Sequence, residues 1–268
     1  MDCCVRLSES EVRSVEEKSI GSTTVDGVRA IEIRYRQILR TDTRETAFYQ
    51  SRIRLNGPDM GVLLPERFLP VLERSEKCVP VFLLSLLQLI KAAEKFSERE
   101  LYFDWISIVM PLRILFTKDC VNIITDFMKK INASPEQICF EIPAGILDEV
   151  KGHEQMAQLR RAGFHTMLAG VNAERFPMQK LSELQPEYVL MDRSITKMLG
   201  ENERAENCVK SLISFVNSIG AEPIATGVMT NDEADMLYDL ECSYFTADEN
   251  SGENSGRFVL ERYVRKKD

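Results

Sequence analysis

The chain has 268 residues, 44% of them hydrophobic, enough to bury a full core in one large domain or two small ones. A net charge of -8 and a pI near 5.1 speak against nucleic acid as the default partner, since a binding groove would have to cluster Lys and Arg against an overall negative field. No run reaches the roughly 20 apolar residues of a membrane span, so no membrane partner is expected. The seven scattered cysteines, odd in number and without a leading apolar signal segment, are expected to be mostly buried thiols in a reducing, cytoplasmic compartment.

Residues 1–30 are polar, mixed in charge and rich in Ser and Thr, with "SESEVRSVEEKSIGS" at their centre. They are expected to form an arm or a short helix, with Cys3 and Cys4 neither paired nor metal-bound, ahead of a single ordered domain over 31–268. From Ile31 onward, strand-like and helix-like patterns alternate. Short segments rich in branched and aromatic residues predict strands at 31–38, 47–55, 101–109, 138–142, 165–169, 188–191, 222–225 and 242–246. Only the eight residues "LRTDTRET" separate Ile38 from Ala47, too few for a helical crossover, so the first pair should be an antiparallel hairpin.

Between the later strands lie helical periods. "VPVFLLSLLQLIKAA" at 79–93 reads as a strongly buried helix. Cys120, Ile123, Ile124, Phe127, Met128 and Ile131 mark another, and Ala205, Cys208, Val209, Leu212, Ile213, Val216 and Ile219 a third, with Gly220 as its stop. Pro65 suits a helix start, and Thr230 and Glu233 have capping-box spacing. Such alternation predicts a mainly parallel sheet closed as a barrel, with ligands at the carboxyl ends of its strands. The two histidines, His153 on a helix and His165 at the start of a strand, form neither a zinc motif nor a catalytic triad.

The order of these elements and several stretches resemble the EAL domain, the cyclic di-GMP phosphodiesterase module. The stretches are "YRQI", "SRIRLNGPDMGVLLPERFLPVLE" (51–73), "CFEIPAGIL" (139–147), "LRRAGFHTMLAGV" (159–171), "LQPEYVLMDRSI" (184–195) and "SIGAEPIATGVMTNDEADMLYDLECSYF" (218–245). The resemblance implies a modified (β/α)8 TIM-like barrel of EAL type with one antiparallel strand. Residue by residue, it implies a lost site. The signature Glu-Ala-Leu falls on Gln50, Ser51 and Arg52, and the Asn of the next strand on Val109. Glu141 is kept, while the second glutamate of its stretch falls on Ala144. The paired aspartates fall on Ala169 and Gly170, the lysine on Leu190, and the late Glu and Gln on Thr226 and Thr246; Asp192 is retained. The "SGENSG" segment at 251–256 departs from the family's closing region and is not a phosphate loop.

Two divalent ions need several oxygen ligands converging from strand ends, and Glu141 alone cannot hold them. No phosphodiesterase activity, metal or cofactor is therefore expected. Arg54, Glu141 and Asp192 remain as candidate ligand-binding residues, each with a structural alternative: Arg54 as a surface arginine, Glu141 paired with Arg54 or another cation, Asp192 capping the amides of "MDRSITKM". The expected function is a noncatalytic regulator in bacterial signalling that binds a protein, such as a transcriptional or motility regulator, or a second copy of itself. The helices at 79–93 and 203–219 are the expected surfaces. A cyclic di-GMP receptor without hydrolysis is the alternative, which the residue losses disfavour.

Overall fold

A computed structural model describes residues 24–25, 28–29, 31–57, 61–172, 176–247 and 259–260. Eight strands form a closed barrel: β1 Ile31–Arg40, β2 Thr46–Gly57, β3 Ile106–Val109, β4 Ile138–Pro143, β5 His165–Val171, β6 Tyr188–Met191, β7 Glu222–Val228 and β8 Tyr244–Ala247. Pairing of β1 with both β2 and β8 closes the ring. β1 is antiparallel to both neighbours, and the other barrel strands run parallel to one another. The short link between the first two strands thus produces the hairpin that the sequence predicts.

Several boundaries differ from the sequence reading. The apolar run at 101–109 becomes strand only from Ile106, because Leu101 and Phe103 pack on helical Phe96 and its surroundings instead of pairing. β8 starts at Tyr244, two residues later than expected, and β5 continues past Ala169 to Val171 through a register shift. Gly170 sits in that shift at φ +87°, a conformation that favours glycine. Within the expected arm, Thr24–Val25 pairs antiparallel with Val28–Arg29; the centre of the arm, Cys3, Cys4 and "SGENSG" lie outside the described residues.

Helices cover the outer face of the barrel. The longest, α1 Cys78–Glu98, buries Phe82, Leu83, Leu86, Leu89 and Phe96, so the expected docking face of 79–93 is core. In α2 Glu203–Ser218, Val209, Ile213 and Val216 face inward while Cys208, Lys210 and Ser211 are exposed, leaving a largely polar outer side. Neither helix therefore offers the broad apolar surface that its sequence suggests, and Cys208 departs from the buried-thiol expectation. The helix start at Pro65 and the cap at Thr230 form as read: the Thr230 hydroxyl accepts from the Glu233 amide at 3.1 Å, and Glu233 accepts from the Met229 amide. Among the described residues no helix is long and apolar enough to cross a membrane.

Candidate functional site

Strand alternation decides which side chains enter the barrel. On β2, Phe48 belongs to the interior cluster while Tyr49 packs outward, so Gln50, Arg52 and Arg54 continue the inner face. On β1, Ile31, Ile33 and Tyr35 pack outward, which turns Glu32, Arg34 and Arg36 inward. The register sets Arg36 against Gln50, Arg34 against Arg52 and Glu32 against Arg54. This hairpin thus places Glu32, Arg34, Arg36, Arg52 and Arg54 on one face at the carboxyl-end mouth.

At the centre of the mouth lies Glu141, only 1% exposed. Its carboxylate accepts from the Ser107 hydroxyl at 2.5 Å, from the Gln50 amide at 3.1 Å and from Arg52 Nη1 at 2.8 Å. Arg36 in turn donates to the Gln50 carbonyl at 2.6 Å, fixing which end of that amide faces Glu141. A buried carboxylate is tolerable only with a counter-charge and directed donors, and Glu141 has both. Its cation is Arg52.

Arg54 lies farther along the same face and approaches Glu32, with Nη1 3.8 Å from the carboxylate. Arg34 Nε donates to the same Glu32 oxygen at 3.0 Å, and Asn56 donates to the other oxygen at 3.3 Å. Burial alone would raise the Glu32 pKa; the bonds from Arg34 and Asn56 and the charges of Arg54 and Arg34 outweigh it and hold the carboxyl below its ordinary value. Asp192 is exposed and accepts from the Ser194 amide at 2.9 Å, capping the short helix Arg193–Thr196. The structure therefore does not bring Arg54, Glu141 and Asp192 together.

The remaining positions line the mouth without charge. Val109 is the register partner of Glu141, and Ala169 of Leu190. The Thr226 hydroxyl donates to the Met191 carbonyl at 2.8 Å, while the fully buried Thr246 hydroxyl has no hydrogen-bond partner among the described residues. Among the described residues no three His, Cys, Asp or Glu side chains group closely enough to hold a metal ion. Sequence reasoning missed Arg34, Arg36, Arg52 and Ser107, although the every-second-residue arginines of "RYR" and "RIR" signal a shared strand face.

The family model described as "EAL domain" matches residues 28–246. The cyclic di-GMP phosphodiesterase RocR of Pseudomonas aeruginosa is 21% identical over 213 residues, 74% of this chain and 54% of RocR. An uncharacterized protein of Azorhizobium caulinodans is 20% identical over 219 residues, 80% of this chain and 30% of that protein. The chain thus spans about half the length of the first relative and under a third of the second. Among solved structures, the EAL enzyme Bd1971 in its cAMP- and cyclic-di-GMP-bound form superposes with a TM-score of 0.76 at 17% identity, over 96% of this chain and 69% of that one. The FimX EAL domain of Pseudomonas aeruginosa bound to c-di-GMP gives 0.71 at 13% identity, over 88% and 93%.

Proposed function

The chain belongs to the EAL domain family, and on that premise we propose that it is a noncatalytic regulator in cyclic di-GMP signalling that acts by binding a protein partner. The observation that carries this reading is the Glu141–Arg52 pair. A two-metal hydrolase needs carboxylates free to ligate ions that activate water and clamp the phosphoryl group. Here the buried carboxylate at the strand ends is engaged by Ser107, Gln50 and a guanidinium. A divalent ion at that position would meet the positive charge of Arg52 and the neutral side chains of Val109, Ala169 and Leu190. The donor set does not fit a metal pair. A transcriptional or motility regulator is the kind of partner expected.

A nucleotide receptor is the second reading, favoured by one observation: Bd1971 and FimX, which share the fold, are described as bound to cyclic di-GMP. Calorimetric titration with cyclic di-GMP, with and without Mg²⁺ or Mn²⁺, run beside a product assay, separates the readings. The expected result is neither turnover nor heat of binding. Micromolar binding without product would make the chain a receptor, and metal-dependent product would overturn the noncatalytic reading.

A further inference from the structure

With α1 buried and the outer side of α2 polar, the exposed apolar side chains gather elsewhere. Among the described residues eight large ones are exposed, and three of them, Val62, Leu64 and Val71, fall within ten positions at 46%, 49% and 69%. Val62 lies in the short strand Gly61–Leu63, which pairs with the end of β2, and Leu64 then opens the helix Pro65–Leu72. Leu64, Arg67, Val71 and Arg74 follow one another at helical spacing, and all four are exposed while Phe68 is buried. They form one stripe in which two apolar residues alternate with two cations. The intervening acid, Glu73, is engaged on another side: its carboxylate accepts from the Leu112 amide at 2.9 Å, and Arg113 donates to its carbonyl at 3.1 Å. Neither Arg67 nor Arg74 enters a salt bridge among the described residues.

We propose that this stripe is the docking face for an acidic amphipathic helix of a protein partner, with its apolar residues on Leu64 and Val71 and its carboxylates on Arg67 and Arg74. The inference rests on the protein-binding reading above and names where the partner docks and by what chemistry. Single exposed apolar residues are ordinary, but an apolar row bordered by charge is the pattern of an interaction site. Leu64 and Val71 lie about 10.5 Å apart along the helix, the spacing of the i and i+7 anchors by which an amphipathic helix engages an apolar surface. Leu64 is itself extended, so Val62, two residues earlier, points to the same side and lengthens the row. Charge selects the occupant. A symmetric contact between two copies would lay the stripe on itself, with four guanidiniums in one interface and no carboxylate of the stripe to oppose them. An acidic helix meets the same cations with carboxylates, which a guanidinium fork holds by two parallel bonds.

Fluorescence anisotropy on the full chain tests the proposal with three labelled helical peptides of equal length. One carries leucines at i, i+3 and i+7 flanked by glutamates; the second has the same composition with its leucines scattered around the helix; the third has lysines in place of the glutamates. The first should bind most tightly, and its binding should weaken as salt shortens the screening length. Val71→Asp should reduce its affinity about tenfold or more with an unchanged melting temperature, while Lys210→Gln, on the outer side of α2, should leave it unaltered. Arg67→Glu with Arg74→Glu should reverse the preference and make the lysine peptide the tighter ligand. If Val71→Asp does not fold, Val71→Ser serves, since it removes the apolar contact without adding a charge. Equal binding of the three peptides, binding of none, or binding unchanged in the variants would overturn the proposal. So would a dimer of the chain, seen by sedimentation velocity, that Val71→Asp converts to monomer, because a second copy would then occupy the stripe. Absence of peptide binding together with absence of turnover removes this inference alone; turnover removes the noncatalytic reading whichever peptide binds.

Discussion

The two ends of the barrel are built from the same strands, two residues apart, and are held together by different physics. At the floor, Phe48, Trp105 and Cys139 come from β2, the lead-in to β3, and β4; Phe48 and Trp105 stack with centroids 3.9 Å apart, and Tyr188 meets both edge-on. Two residues further along, Gln50, Ser107 and Glu141 replace this apolar layer with hydrogen bonds and an ion pair. Packing at the floor is non-directional and proportional to area, so it specifies closure of the barrel. The mouth depends on orientation and charge, and that is where recognition can be built.

The contrast predicts a hierarchy of losses. Phe48→Ala opens a cavity against Trp105 and should cost about 3–5 kcal/mol, measured by denaturant unfolding followed through Trp105, the only tryptophan. A loss below about 1 kcal/mol would mean that the floor is loosely packed. At the mouth, Arg52→Ala strands Glu141, which is 1% exposed, and should cost about 2–3 kcal/mol once the partial exposure of Arg52 is allowed for. Glu141→Gln removes the buried charge, leaves Arg52 able to reach water, and should cost only about 1 kcal/mol. The asymmetry is the informative part. If Glu141→Gln is the more damaging change, the carboxylate is an acceptor that the network cannot replace, and burial of its charge is the lesser effect.

Much of this architecture could be read from the sequence because it follows from local rules. The eight-residue link dictated the hairpin, Thr230 and Glu233 announced a helix start, and Gly220 takes φ +76° at the end of α2 as a helix stop should. The mouth was less legible. Arg52 and Arg54 differ by one strand period and share a face, so only register and depth determine that Arg52 reaches Glu141 while Arg54 stays with Glu32. The apolar run at 79–93 is buried, as its reading as a strongly buried helix predicts, since hydrophobicity all round a helix means burial on several sides; only its second reading, as a docking surface, departs from the structure.

The smallest expected effect lies at the outer end of the hairpin, where Glu32 bridges Arg34 and Arg54 in partial contact with water. Glu32→Gln should cost less than about 1 kcal/mol at neutral pH, because solvent screens such pairs. Its pH dependence has a definite sign. The folded-state pKa of Glu32 is lowered, so its contribution is complete above the unfolded value of about 4.3 and is lost as pH falls through the folded value. The stability gap between wild type and Glu32→Gln should therefore close on acidification, because a protonated Glu32 no longer attracts the two guanidiniums. The gap produced by Phe48→Ala should stay nearly constant over the same range, since it arises from lost packing. A Glu32 gap equally insensitive to acid would mean that its hydrogen bonds to Arg34 and Asn56 matter as geometry alone, and the electrostatic distinction between mouth and floor would then rest on Glu141.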